Sequence, residues 1–257
     1  MRRQESRLPH YSLKRFKYNS HYWVLKFLSD AGHPLRILDV GTADGYLGAI
    51  LKGSGHSLVG VEQDFEAAER ARPFYDSFHV ADIEDFEFPY RGEFDRILFA
   101  DVLEHVRDPI LVLKRSIPTL KKTGELIVSL PNIANIIIRL NLLAGRFDYC
   151  ERGILDRTHL RFFTLSGVKR MMEEASCRIL EVVPTPLPVQ LVVPVSEKKI
   201  FSPFHEAHYL LVRLWKTLFA YQFVLRAVPN IARIDKAQAR TSNESGAPNH
   251  PGFAGSC

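Results

Sequence analysis

Apolar residues fall into short runs separated by turn-forming residues, and the runs alternate between two spacings. Continuous apolar stretches of strand length occur at Ile37 to Val40, Leu58 to Val61, near Phe78, in the segment opening FDRILFA at Phe94, and in ELIVSLPN after Gly124. Helical spacing fills the intervals. Tyr22, Trp23, Leu25, Phe27 and Leu28 predict an amphipathic helix over 20–28, lying over a ligand pocket or against the sheet and ended by Gly32-His33-Pro34. Further helices are expected from near Asp44 to near Lys52, over 65–71, over 110–120 behind an Asp108-Pro109 cap, and over 166–175 capped by Thr164 or Ser166. Alternation of this kind predicts an α/β domain. Residues 134–164 depart from it: Ile136, Ile137, Leu140 and Leu143 suggest a helix stopped at Gly145, with a loop beyond. CRILEVVPTPLP reads as a sixth strand, and prolines at 184, 186, 188 and 194 break the next stretch into loop or sheet edge. The stretch from Phe204 reads in two ways. It is a helix to Lys216 followed by a strand, or one amphipathic helix over 204–228 on a membrane surface with Arg213 and Lys216 snorkelling.

A chain of 257 residues with 46% hydrophobic content can bury one large core, here placed at 20–235 between a basic arm (1–19) and a disordered tail (236–257) rich in Ser, Gly, Pro and Asn. Lys and Arg exceed Asp and Glu by 5, with Arg2, Arg3, Arg7, Lys14, Arg15 and Lys17 crowding the arm. The excess is too mild for a nucleic-acid binder; it suits a solvated arm, an anionic substrate or a peripheral contact with a membrane. Cys150, Cys177 and Cys257 are odd in number and lack metal or redox spacing, so a reducing compartment and no disulfide framework are expected. No signal-peptide pattern and no apolar run near the ~20 residues of a membrane span is evident, which predicts a cytoplasmic protein.

The chemistry centres on LRILDVGTADGYLGAIL, residues 35–51, where a strand runs into a small-residue turn and then a helix. A dinucleotide fingerprint would need glycines where Gly41, Ala43 and Tyr46 stand, and a phosphate loop would need a Gly-Lys-Ser/Thr ending. Both fail. Asp39, Gly41, Ala43 and Gly45, an acid followed by small residues at every second position, resemble motif I of class I S-adenosylmethionine-dependent methyltransferases, with Ala43 replacing the usual middle glycine. DVLEH at 101–105 with the following Asp108-Pro109 looks like the same family's small-molecule members related to ubiquinone-biosynthesis O-methyltransferases, and residues 156–164 look like a segment of bacterial glycan and secondary-metabolite methyltransferases.

The resemblance implies a Rossmann-like doubly wound sheet of seven strands over roughly residues 20–230, mostly parallel with an antiparallel last strand, which favours helix then strand after Phe204. It implies S-adenosyl-L-methionine as cofactor, with Asp39 offering a carboxylate to its ammonium and Glu62, about 20 residues after the first glycine, holding the ribose. Asp82 and Ile83 would take the adenine, with Glu84 and Asp85 as competitors in the same acidic run. Asp101, Glu104 and His105 would border the methyl group. If the acceptor is a hydroxyl of a small molecule or sugar unit, a general base is useful, and His159 on the substrate-side insertion is preferred to His105. Tyr149 and Arg161 are the candidate acceptor contacts; Arg161 could equally pair with Asp156. A divalent cation on Glu104, His105 and His159 is conceivable, but their spacing is not diagnostic and no metal is assigned. A protein that keeps the fold as a scaffold without turnover is the alternative, opposed by the intact Asp39, Gly41, Gly45 and Glu62.

Overall fold

Each predicted apolar run becomes a strand: β1 (Arg36–Val40), β2 (Ser57–Glu62), β3 (Ser77–Val80), β4 (Phe94–Ala100), β5 (Leu120–Pro131), β6 (Cys177–Thr185) and β7 (Gln222–Pro229). They form one sheet in the order β3-β2-β1-β4-β5-β7-β6. Strands β1 to β5 pair in parallel, whereas β7 runs antiparallel to both β5 and β6. The helices are α1 (Ser20–Ser29), α2 (Tyr46–Gly53), α3 (Phe65–Ala71), α4 (Pro109–Ser116), α5 (Ile136–Leu143), α6 (Leu165–Glu174), α7 (Ser202–Leu214) and α8 (Lys216–Phe219). This computed structural model describes residues 19–187 and 202–233. The basic arm up to residue 18, the tail, Pro188, Pro194 and Cys257 lie outside them.

Side-chain alternation along the strands divides the core between the two faces of the sheet. Ile37, Leu98, Ile127 and Val224 meet Val24, Phe27 and Leu28 of α1 and Leu47 and Leu51 of α2 on one face. Leu38, Phe99, Val128 and Leu225 meet Val112 and Leu113 of α4 and Val168, Met171 and Met172 of α6 on the other. Helix α1 therefore packs against the sheet. Burying Val24, Phe27 and Leu28 contributes on the order of 5 kcal/mol.

Local chemistry sets the helix ends. Asp64 caps α3 by accepting from Ala67 N, Asp108 caps α4 by accepting from Leu111 N, and Thr164 rather than Ser166 caps α6 by accepting from Gly167 N. The helix expected over 110–120 stops at Ser116. Pro118 cannot donate an i→i−4 hydrogen bond, so 117–119 tighten into a 3-10 turn and Leu120 already belongs to β5. Residues 204–228 are not one helix, because α7 ends at Leu214 and the chain re-enters the sheet as β7. Pro184 is accommodated within β6 at the sheet edge.

The strand order reverses between β1 and β4. A doubly wound sheet opens its binding crevice at the carboxyl ends of the strands flanking such a reversal. Asp39 and Gly41 stand at that end of β1, Glu62 at that end of β2, and Asp101 just beyond β4.

Candidate active site

Asp39 shares the Ile37 side of β1 and is only 2% exposed. Tyr75 Oη donates to its Oδ2 at 2.6 Å. Burial pushes the Asp39 carboxyl up to about 7, against the pull of the Tyr75 hydrogen bond and with help from the Glu62 charge. Beyond Asp39 the backbone turns left-handed three times, at Gly41 (φ 70°), Ala43 (φ 45°) and Gly45 (φ 75°). The space a side chain would need at the two glycines is filled by protein: a Cβ at Gly41 would stand 2.5 Å from Val102 Cγ2, and one at Gly45 would stand 2.6 Å from Ala71 Cα. The glycines thus close the turn onto the β4 end and onto α3.

The Glu62 carboxylate reaches back into this turn. Its Oε2 accepts from Ala43 N at 2.8 Å, and its Oε1 accepts from Gln63 N at 2.9 Å and Asp64 N at 3.0 Å. Three of its roughly four acceptor positions are taken. Asp82 is exposed and its Oδ1 accepts from Glu84 N at 2.9 Å; Ile83 is half-buried against the core. Glu84 is committed elsewhere, accepting from Arg107 N and Nε and from Asp108 N. Asp85 is exposed, and its N–H donates to the Asp82 carbonyl.

Past β4, Asp101 adopts φ 57°, in the strained left-handed region. Its Oδ1 accepts from Ser129 Oγ at 2.6 Å and from Gln222 Nε2 at 3.1 Å. His21 of α1 faces the same group: burial lowers its pKa while Asp101 raises it. Glu104 is 1% exposed, and its Oε2 has no hydrogen-bond partner. Burial, reinforced by Asp101, raises its carboxyl well above the ordinary range.

The insertion folds back onto this turn. Leu160 N and Arg161 N donate to the Glu104 carbonyl at 2.8 and 3.0 Å, which brings the side chain of His159 to 4.0 Å from Glu104 Oε1. His159 Nδ1 lies 3.0 Å from the Ile154 carbonyl, which can only accept, so Nδ1 carries the proton and Nε2 keeps its lone pair. Burial lowers the His159 pKa; the Ile154 hydrogen bond opposes this and His105 adds to it. The His105 and His159 rings meet edge-on at 4.8 Å, and His105 Nδ1 faces the Thr158 carbonyl at 3.2 Å. Sequence spacing did not reveal that Glu104, His105 and His159 place possible ligand atoms within 4.8 Å of one another, a group able to hold a divalent cation.

Tyr149 is exposed in an aromatic group with Phe147 and Phe162, and Phe162 in turn contacts His159 at 6.3 Å between centroids. Arg161 does not pair with Asp156. Its guanidinium donates to the Arg107 carbonyl, at 3.0 Å from Nε, while Asp156 accepts from Thr158. Sequence reasoning missed Tyr75, His21, Ser129 and Gln222, which reach the site from distant parts of the chain. Only the polarity of β7's first residue hinted at Gln222.

A family model described as "Methyltransferase domain" matches residues 12–182. The tRNA 5-carboxymethoxyuridine methyltransferase of Escherichia coli (strain K12) is 28% identical over 128 residues, 47% of this chain and 49% of that protein. The ubiquinone biosynthesis O-methyltransferase of Thiobacillus denitrificans is 30% identical over 148 residues, 54% of this chain and 63% of its own length. The first of these matches thus spans about half of the relative's length. Among solved structures, a SAM-dependent methyltransferase from Thermotoga maritima, described as a possible histamine N-methyltransferase, superposes with TM-score 0.56 at 23% identity, covering 83% of this chain and 89% of its own. Magnesium protoporphyrin IX methyltransferase from Synechocystis PCC 6803, solved with bound SAH, superposes with TM-score 0.56 at 14% identity over 82% of each chain. These two likenesses show the fold. With the family model spanning more than half of the sequence, the chain belongs to the class I S-adenosylmethionine-dependent methyltransferases.

Proposed function

We propose that the protein transfers a methyl group from S-adenosyl-L-methionine to an oxygen of a small molecule or sugar unit. The observation that carries this reading is the convergence of Glu104, His105 and His159 beside Asp101, at the crevice that also holds Asp39 and Glu62. The donor set suits the cofactor's two cationic groups and its diol. Asp39 is a buried carboxyl that a nearby ammonium would ionise, Glu104 carries an unpartnered buried oxygen, and Glu62 has an acceptor position left over. The bound cofactor supplies a methyl group already activated by a sulfonium.

The chain's own residues bind, align and deprotonate. Asp39 would hold the ammonium, Glu62 the ribose and Asp82 with Ile83 the adenine, while Gly41, Ala43 and Gly45 shape the turn beneath. Asp101 is braced by Ser129 and Gln222 toward the reacting end. His159, neutral and with its lone pair on Nε2, would take the acceptor's hydroxyl proton; His105 stands beside it as the second candidate. The Tyr149 aromatic group and the exposed Arg161 would meet the acceptor. Support for oxygen as the target comes from this neutral imidazole, which a hydroxyl nucleophile needs more than an amine does, and from the O-methyltransferase among the relatives.

Calorimetric titration of S-adenosylhomocysteine tests the reading. The wild type is expected to bind, with Glu62→Ala weakening affinity about tenfold or more through loss of charge-assisted hydrogen bonds. His159→Gln should leave that affinity unchanged and abolish turnover in an acceptor screen. A folded wild type that binds no S-adenosylhomocysteine would sink the proposal.

A further inference from the structure

Helix α5 carries the sequence IIIRLNLL, yet Ile138 is its one buried residue; Leu140 is 56% and Leu143 86% exposed. A contiguous exposed aliphatic face of this kind marks an interaction surface. The helix is firmly mounted. Asn135 Oδ1 caps it by accepting from Ile137 N, and Asn135 Nδ2 donates to the Ala220 carbonyl at 2.9 Å, tying the helix start to the segment entering β7. Ile138 packs on Ile154 and Leu155, in the loop that carries His159. The exposed leucines therefore stand on the substrate side of the molecule, and Leu214 and Trp215 expose further apolar surface just before the residues to which Asn132 and Asn135 donate.

Charge says what covers this face. Exposed Arg139 and Arg146 flank the leucines, and across residues 134–150 Asp148 is the one acid. The first turn of α1 lies at the same end of the sheet, with His21 beside Tyr46 and responding to Asp101. Residues 1–18, which precede α1 in the sequence, carry six Lys and Arg against Glu5. Leucines bordered by arginines, in a chain whose first 18 residues are basic, suit insertion at the acyl–headgroup boundary with phosphates around it.

We propose that α5 seats the protein on an anionic phospholipid surface, so that the acceptor reaches His159 from the lipid side. The second clause rests on the active-site reading above.

Co-sedimentation of the full chain with vesicles tests the docking itself. Wild type should pellet with phosphatidylglycerol-containing vesicles, less at high salt, and remain in the supernatant with pure phosphatidylcholine. Leu140→Ser/Leu143→Ser should lower the partition coefficient about tenfold or more, and Arg139→Gln/Arg146→Gln should weaken its salt dependence. Thermal melting controls for folding, since both leucines are exposed. Wild type left in the supernatant with anionic vesicles, or a double-leucine variant that partitions equally well, would overturn the proposal. So would light scattering that shows a wild-type dimer dissociated by the leucine substitutions, which would give the face to a second copy of the chain. S-adenosylhomocysteine titration of the same samples reports on the active site alone, so the two readings fail separately.

Discussion

At Asp39 burial imposes a cost that an arriving cation would offset. Its carboxyl, raised to about 7 in the fold and near 3.8 when unfolded, binds a proton more tightly in the native state. Its contribution to stability is complete below the unfolded value and is lost as pH rises toward 7, on the order of 4 kcal/mol over that interval. Asp39→Asn should flatten the pH dependence of the urea-unfolding free energy between those limits. A cofactor ammonium placed beside Asp39 reverses the preference. S-adenosylhomocysteine binding near pH 6.5 should therefore release a proton, seen as a heat that varies with buffer ionisation enthalpy, and affinity should climb with pH and level off above about 7. Ala43 is strained for another reason, holding φ 45° where the family's usual residue is glycine. Ala43→Gly should relieve roughly 1–2 kcal/mol of left-handed strain while adding about 0.4–1 kcal/mol of unfolded-state entropy. The melting temperature should rise slightly.

At the scale of elements, α5 depends on one side chain at its start. Asn135→Ala removes both the cap to Ile137 and the donor to Ala220, and should cost about 2 kcal/mol in chemical denaturation, with amide exchange speeding up across α5. Most elements were legible because each is written locally. The run Ile37 to Val40 is long enough to cross a buried sheet, and Asp108-Pro109 announces α4 by a hydrogen bond made within four residues. Leu120 was misplaced because its helical spacing was correct; only the missing N–H of Pro118 ends the helix early. The site divides along the same line. Asp39, Gly41 and Glu62 are read from adjacency to strand ends, which sequence preserves. Tyr75, His21 and Gln222 arrive from other elements and carry no local signature, and Glu84 looked free because its partners Arg107 and Asp108 lie beyond β4. His159 was singled out from its place on the insertion. Its contact with Glu104 depends on the hydrogen bonds that latch 160–161 to the β4 turn.

For the molecule as a whole, β7 is the strand on which closure depends. It lies between β5 and β6 and pairs with both, so among the described residues β6 has no other strand partner. A chain truncated after Tyr221 should lose its cooperative thermal transition, as followed by circular dichroism, because β5 would lose its β7 neighbour while the valines of β6 lost their described strand partners at once. The same placement orders events on the ribosome. β6 is complete at Thr185, but its partner begins only at Gln222, and at about 5–20 residues per second the wait is a few seconds. Throughout that interval the nascent chain presents two open apolar strand edges. Crowded translation without a chaperone holding those edges apart should divert this protein into aggregates before its active site ever forms.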